Sequence, residues 1–474
     1  MQLNQTQCKG MGLFATKPYE VGNSILVEEA YSWVTFRDNG PNICHTCFKF
    51  SKSLKKCSQC KFARYCGLDC QKKAWKENSH RWECKAIASS VEAKIPSIVR
   101  LAALFLFRAL NSNDKDIRLV DRCRSFPYSY SNMDSRSDEN DVDVLSRQRV
   151  DCLVEDLLRF IRLSHYPQHE VSELFEDNFV ASLIRMLEMN AHTIYDSELN
   201  TLGVGFFPKA SFMNHDCRPN CVALFTGGFH SVSGKPISIH IRCIRPIEAG
   251  EEIVISYLDV CLSWMDRLEW LKEHYQFECC CSRCKEESSL TIQQYSEKLV
   301  DWKSDWKFMN RMIVLSEREE RASNMLRSFE YMNEAWDKCC LCIQTLYPNS
   351  PIFHWKQIQI ASRLSYLCIV LKKYSQATEY LELYMKLIRD KPEWNYFPTV
   401  ALEMLKLGKL YAYLGNLASA KKYLEKAKRI YANLVVKEDP IYQNCEEALY
   451  KVSIEYDWIV QQAENDVDGQ LGIA

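Results

Sequence analysis

Two groups of cysteines and one Asn-His pair have the types and spacing that could do chemistry. The first group runs Cys44-x2-Cys47, Cys57-x2-Cys60, Cys66-x3-Cys70 and His80-x3-Cys84. A two-residue gap lets a tight turn aim both sulfurs at one tetrahedral ion. A three-residue gap puts both groups on one face of a helical turn. Eight ligands in four pairs therefore predict two four-coordinate zinc sites, closed to solvent and structural in role. The second group is Cys279, Cys281 and Cys284 in "FECCCSRC". It supplies three ligands, a closed site needs a fourth, and Cys217 is the candidate. Cys221 and Cys280 are then spare and are expected to be buried thiols. The middle residue of a Cys-Cys-Cys run points away from its neighbours in an extended segment.

The Asn-His pair lies in "SFMNHDCRPNC", Ser211 to Cys221, with His215 two residues before Cys217. Three readings compete: a Cys217–His215 nucleophile, a metal site, or a buried structural turn. Assigning Cys217 to zinc weakens the first.

These groups sit in a chain of 474 residues, long enough for about two to four domains. With 47% hydrophobic and 26% charged residues the composition is globular, and a net charge of −1 gives no whole-chain case for nucleic acid or a membrane surface. "MQLNQTQCKG" lacks the layout of a signal peptide, and the most apolar run, "LAALFLF" (Leu101 to Phe107), is short and flanked by Arg100 and Arg108, so it reads as a buried helix. An intracellular, reducing setting follows, in which 23 cysteines mean metal ligands or buried thiols rather than disulfides.

The elements that must position the chemistry change character along the chain. Residues 1 to about 40 read as short strands and turns, as in "SILVEE". Residues 91 to 190 read as helical, interrupted by the polar, acidic "SYSNMDSRSDENDVD". Strands return over 200 to 258 in "CVALF", "ISIHIRCI" and "EEIVISYL", and the loop "TGGFHSVSGKPISIHI" reads as a hairpin. From about 290 amphipathic helices run almost to the end. In "MLKLGKLYAYLGNLASAKKYLEKAKRIY", Gly408, Tyr411, Gly415, Ala420, Leu424 and Ala427 fall at tetratricopeptide offsets, and Ala377 and Leu381 mark a degenerate unit upstream. Small residues there let paired helices approach closely; a plain helical bundle is the alternative.

The first cysteine group resembles the MYND zinc finger. That resemblance, not the spacing, implies interleaved sites: Cys44, Cys47, Cys66 and Cys70 on one zinc, and Cys57, Cys60, His80 and Cys84 on the other. "KGMGLFA", "GVGFFPKASFMNHDCRPNC", "GEEIVISYLD" and "FECCCSRC" follow the order of a SET-domain lysine methyltransferase. The finger inserted after the first strands narrows the resemblance to the SET- and MYND-domain (SMYD) family over essentially the whole chain. It implies an α+β multidomain protein: a β-rich SET core with an inserted MYND finger and a helical insert, a zinc-bound post-SET segment, and a C-terminal all-α tetratricopeptide-like domain. The expected boundaries are 1–43 for the N-terminal SET part, 44–84 for the finger, 85–185 for the helical insertion, 186–260 for the SET core, 261–286 for the post-SET segment and 287–474 for the helical domain.

The same resemblance implies an S-adenosylmethionine-dependent protein-lysine N-methyltransferase holding three zinc ions. Asn214 and His215 match the family's cofactor-contacting pair, in a segment that threads under another loop. Tyr257 matches its catalytic tyrosine, which orients the amine and the methyl group. Lys9, Gly10, Met11, Gly12, Asn132, Asn190, Ser211, Tyr257, Tyr275 and Phe277 match cofactor-contacting positions, with Lys9 offsetting the cofactor's carboxylate and the two glycines admitting backbone close to it. His192, Tyr257 and Tyr275 match the substrate channel. Two residues depart from the pattern: Met11 stands where relatives often have a polar or basic residue, and His192 stands where they commonly have a channel phenylalanine. A polar wall could change how the amine is desolvated or how many methyl groups fit.

The expected substrate is a lysine-containing segment of a histone or non-histone protein, acted on in cytoplasm and nucleus by a monomer with no membrane partner. The alternative is a catalytically weak adaptor or transcriptional regulator. Eleven Lys/Arg against three Asp/Glu between Cys44 and Lys85 either offset thiolate charge or form a surface for an acidic partner, DNA included. The MYND resemblance instead implies proline-rich peptide partners, for which Phe62, Tyr65 and Trp75 are candidates unless they form the finger's small core.

Overall fold

A computed structural model describes residues 1–6, 9–36, 42–90, 95–111, 141–167, 179–230, 234–295, 302–346, 351–389 and 396–471. Asn132 and most of the polar stretch around it lie outside these residues.

The strands are short: β1 (Gln2–Gln5), β2 (Met11–Phe14), β3 (Ser24–Glu29), β4 (Ser32–Thr35), β5 (Lys55–Lys56), β6 (Arg64–Tyr65), β7 (His192–Tyr195), β8 (Thr201–Phe206), β9 (Asn214–His215), β10 (Cys221–Thr226), β11 (Ser238–Cys243) and β12 (Val254–Ile255). They form small sheets: a β1–β2 hairpin, a sheet ordered β10-β11-β3, another ordered β4-β8-β7, the pair β5–β6 in the cysteine-rich segment, and a parallel pairing of β9 with β12. β10 and β11 pair antiparallel from Cys221↔Cys243 to Thr226↔Ser238, so the loop between them closes a hairpin. Inward-facing residues such as Leu13, Trp33, Ile194, Phe207, Ile239 and Ile255 make the core of this part.

Three helices of the insertion, Ser97–Leu110, Asp141–Leu163 and Phe179–Asn190, share a core with Val34 of β4 and Phe206 of β8. "LAALFLF" lies inside the first of them and is buried throughout. The third stops at Asn190, and the chain enters β7 at His192. The insertion thus sets where both residues stand.

Beyond the helices Trp264–Tyr275 and Ser282–Tyr295, an array runs from Trp302–Arg321 and Met325–Leu341 through Pro351–Val370, Tyr374–Arg389, Pro398–Tyr413 and Leu417–Leu434 to Pro440–Leu471. Ala377, Leu381, Ala420, Leu424 and Ala427 are fully buried between paired helices. A Cβ on Gly408 would lie 2.7 Å from Leu424 Cγ, so this glycine lets its helix pack closely on Leu417–Leu434. The array packs on the β-rich part directly: Ile244, Val260 and Cys261 share a core with Trp355 and Tyr384, and Ser197 Oγ donates to Asp439 Oδ1 at 2.8 Å. No helix among the described residues is long and apolar enough to cross a membrane.

Replacing Gly408 with Val should drive branched carbons into Leu424. The expected loss is about 1–3 kcal/mol, read as a lower midpoint in urea or thermal unfolding.

Candidate active site and metal centres

Three clusters of cysteine and histidine assemble, and in each the ligand atoms lie within 4.8 Å of one another: Cys44, Cys47, Cys66 and Cys70; Cys57, Cys60, His80 and Cys84; Cys217, Cys279, Cys281 and Cys284. The folded chain therefore groups the first eight in the interleaved pairing that the MYND resemblance implies. A tetrahedral zinc with Zn–S bonds of about 2.3 Å has S···S edges of about 3.8 Å. The clusters show Cys47–Cys66 and Cys57–Cys84 at 3.6 Å, Cys66–Cys70 at 3.4 Å, Cys217–Cys279 at 3.9 Å and Cys217–Cys284 at 3.6 Å. Donor type and spacing both fit zinc.

The surroundings orient these ligands. His80 Nδ1 bonds Glu83 Oε2 at 2.7 Å, which leaves Nε2, 3.8 Å from Cys60 Sγ, as the ligating nitrogen. Glu83 is buried, and burial alone would raise its pKa. Arg100, bonded to Oε1 at 2.7 and 2.9 Å, and His80 hold it well below the usual carboxylate range. In the third cluster Arg267 Nη2 lies 3.7 Å from Cys284 Sγ, and Arg283 donates to the Val260 carbonyl at 2.8 Å. Both guanidiniums pair with Glu287, to which Trp355 Nε1 also donates. Glu83 and Arg283 are sequence neighbours of the ligands Cys84 and Cys284, whereas Arg100, Arg267 and Trp355 reach the clusters only through the fold.

A cleft beside the third cluster is lined by Lys9 and Met11 from the first hairpin, Met189 and Asn190 from a helix end, and Ser211, Phe212, Asn214 and His215. Tyr257 and the segment Tyr275 to Cys280, except Gln276, complete it; with its open mouth it encloses about 830 Å³. A second cavity, lined by His192, Thr193, Tyr195, Met213, Phe225 and Trp270 among others, shares Met189, Asn190, Ser211, Tyr257 and Tyr275 with the first. Tyr257 and Tyr275, with ring centroids 4.7 Å apart, therefore stand between the two spaces.

The Asn-His pair is held from both sides. Asn214 Nδ2 donates to the Met11 carbonyl at 3.2 Å and to Glu252 Oε1 at 2.8 Å, leaving its side-chain oxygen as the group able to accept from a ligand. His215 Nδ1 accepts from the Tyr257 backbone N–H at 3.0 Å, so Nε2 carries the proton and donates to Cys217 Sγ at 3.2 Å. Burial pushes the His215 pKa down to about 3, consistent with a neutral ring. Both ring nitrogens are thus occupied, and any ligand contact comes from its backbone or ring face. The Tyr257 hydroxyl donates to the Met213 carbonyl at 2.7 Å.

Several expected residues stand differently. Lys9 lies 3.8 Å from Asp216 and 3.6 Å from Glu252, so its charge is already partly balanced by two carboxylates that spacing did not single out. Gly10 and Gly12 are not in the cleft lining. Gly10 has φ +75 in the hairpin turn, and a Cβ on Gly12 would sit 2.8 Å from both Asn214 Nδ2 and Glu252 Oε1, so Gly12 makes room for those side chains. Cys221 is buried as expected, but Cys280 is exposed at the cleft mouth: it points outward from the extended run, where no wall covers it. In the finger Tyr65 is core, Phe62 packs on His45 and beneath Arg100, and Trp75 is exposed.

A cluster deprived of one of its four ligands should no longer hold zinc. Elemental analysis of the purified protein should find three equivalents of zinc per chain, and about two in each of Cys47→Ser, Cys57→Ser and Cys217→Ser.

The SET domain family matches residues 10–258. The human protein named histone-lysine N-methyltransferase SMYD1 is 30% identical over 441 residues, covering 91% of this chain and 84% of that protein. N-lysine methyltransferase SMYD2-B of Danio rerio is 28% identical over 434 residues (89% and 91%), and human histone-lysine N-methyltransferase SMYD3 is 27% identical over 356 residues (70% and 77%). A SET match over half of the chain, together with this relationship along nearly all of it, places the protein in the SMYD family of SET-domain proteins.

Proposed function

We propose that this chain is a protein-lysine N-methyltransferase that uses S-adenosylmethionine. The observation that carries the reading is the pair of cavities sharing a wall of Tyr257, Tyr275, Asn190 and Ser211. Methyl transfer to an amine needs donor and acceptor brought in line from opposite sides of a narrow passage.

The first cleft suits the donor. Lys9 suits a carboxylate, the Asn214 side-chain oxygen and the nearby carboxylates suit an α-ammonium, and Tyr275 and Phe277, 6.5 Å apart, offer faces for an adenine. When bound, the cofactor supplies an electrophilic methyl group on a good leaving group. The protein's own contribution is then positioning and electrostatics.

The second cavity suits the lysine. A lysine ammonium with a free pKa of roughly 10.4 costs about 4–5 kcal/mol to deprotonate at pH 7. Aromatic walls from Trp270, Tyr195, Tyr275 and Phe225 disfavour the ammonium and lower that cost. The hydroxyl protons of Tyr257 and Tyr195 are committed to the carbonyls of Met213 and Ala223. Their oxygens can therefore only accept, which suits an amine that donates N–H and keeps its lone pair for the methyl carbon.

The test is methyl transfer from labelled cofactor to an array of lysine-containing peptides, with calorimetric titration of S-adenosylmethionine. Labelled spots and saturable binding are expected, and no binding would sink the enzyme reading in favour of an adaptor. Tyr257→Phe should cut transfer at least about tenfold with little change in cofactor affinity. Cys217→Ser should weaken cofactor binding about 10–100-fold although Cys217 is absent from the cleft lining, because it loosens His215.

A further inference from the structure

On the helical array, a hollow that encloses about 760 Å³ with its open mouth lies between the helices Tyr374–Arg389 and Leu417–Leu434. Its rim carries four exposed cations, Lys386 and Arg389 from the first helix and Lys422 and Lys426 from the second. Its floor is Met385, Ile388 and Met404, all buried, which offer no strong hydrogen-bonding group. Tyr423 stands at the second helix, with Lys422 and Lys426 at 5.9 and 5.7 Å from its ring centroid. Burial and the Glu382 carboxylate raise the Tyr423 pKa, and Arg389 acts against them, so groups of the two helices face each other across the hollow. Glu382 is the one carboxylate in the lining, and it accepts a hydrogen bond from the Tyr411 hydroxyl. Among the described residues none of the four rim cations forms an ion pair. The whole chain has a net charge of −1, so this is a local concentration of positive charge and not a general basicity.

We propose that this hollow binds a compact polyanion bearing several phosphate groups, as an inositol phosphate or a phosphoinositide headgroup does. Residues three or four apart on a helix face lie about 5–6 Å from each other, so each helix brings two charges close together. Four like charges around one hollow repel, and a multivalent anion relieves that repulsion. Each phosphate group brings a charge of about −1.5 to −2 and three acceptor oxygens. The Arg389 guanidinium matches two such oxygens at once, and the lysines act as movable point charges. An acidic peptide fits less well, because side chains on one face of an extended chain recur only about every 6–7 Å and carry one charge each. A ring bearing several phosphates places more charge within the same reach and rests its carbon body on the apolar floor. The hollow shares no lining residue with the cleft or the second cavity, so the proposal stands or falls apart from the methyltransferase reading.

The test titrates the zinc-loaded full chain with inositol trisphosphate by calorimetry, at low and at physiological salt. Saturable binding that weakens with salt is expected. The double variant Lys422→Glu/Lys426→Glu and, separately, the milder Arg389→Gln should each weaken it at least about tenfold. Lys55→Glu/Lys56→Glu, in the finger that is also basic, should bind as the wild type does. Wild type that shows no saturable binding overturns the proposal, and so does binding that is lost in the finger variant but kept in both variants of the hollow. A hexaglutamate peptide that competes with inositol trisphosphate and binds as tightly also overturns it, in favour of an acidic protein segment. Vesicles of phosphatidylcholine with and without phosphatidylinositol bisphosphate separate the two sources of the same chemistry. Sedimentation with the phosphoinositide vesicles alone, lost in Arg389→Gln, assigns the hollow to a lipid headgroup; binding of free inositol trisphosphate without it assigns the hollow to a soluble phosphate.

Discussion

The site depends on one buried imidazole. His215 takes the backbone N–H of Tyr257 on one nitrogen and gives its proton to Cys217 on the other. The parallel pairing of Asn214–His215 with Val254–Ile255 brings these partners together, and Asp216 N extends it by donating to the Ile255 carbonyl. A buried ring with either nitrogen unpaired would cost about 1–3 kcal/mol. The geometry in which both are paired is therefore strongly preferred over a slipped one. A metal-ligand cysteine, a cleft-lining Asn-His pair and the tyrosine between the two cavities are joined through this single side chain.

Charge balance extends the same constraint outward. Four thiolates around a divalent zinc leave a formal −2, which is costly to bury alone. Arg267 and Arg283, both almost fully buried, stand against that charge, and Glu287 offsets part of theirs. Trp355 of the helical array donates to Glu287 and lies under the Arg283 guanidinium, 4.4 Å from its ring centroid. Lys356, 1% exposed, pairs with Asp266 at 2.7 Å. The array is thus docked through the charges that the third cluster requires, and its position is tied to the cleft. In the finger, Glu83 plays the corresponding part: it orients His80 and binds Arg100 of the inserted helix, joining the second cluster to the insertion core.

Much of this was legible in the sequence where chemistry imposes a local spacing. Cys-x2-Cys and Cys-x3-Cys pairs announce ligands because a turn of that length delivers two sulfurs to one ion. The small residues Gly408, Ala420 and Ala427 announce close helix pairs, and at Gly408 even a Cβ would meet Leu424. Cys280 is exposed rather than buried, since an extended run says only that its middle side chain points away from its neighbours, not whether anything covers it. Glycine signals a close approach, but not by what, and at Gly12 the approaching groups are the side chains of Asn214 and Glu252.

The sequence by itself determined the ligand types, the order of the β-rich, cysteine-rich and helical parts, and the residues from which a cleft could be built. Only the tertiary structure decided how those residues meet. The carboxylates Asp216 and Glu252 flank Lys9, His215 spends both nitrogens inside the protein, and Tyr257 and Tyr275 come to stand between two cavities. The physical reason is range. Ligand spacing and helix periodicity act over a few residues and leave a pattern in the chain. Hydrogen bonds and ion pairs between segments tens or hundreds of residues apart depend on three-dimensional approach alone, and no local pattern encodes them.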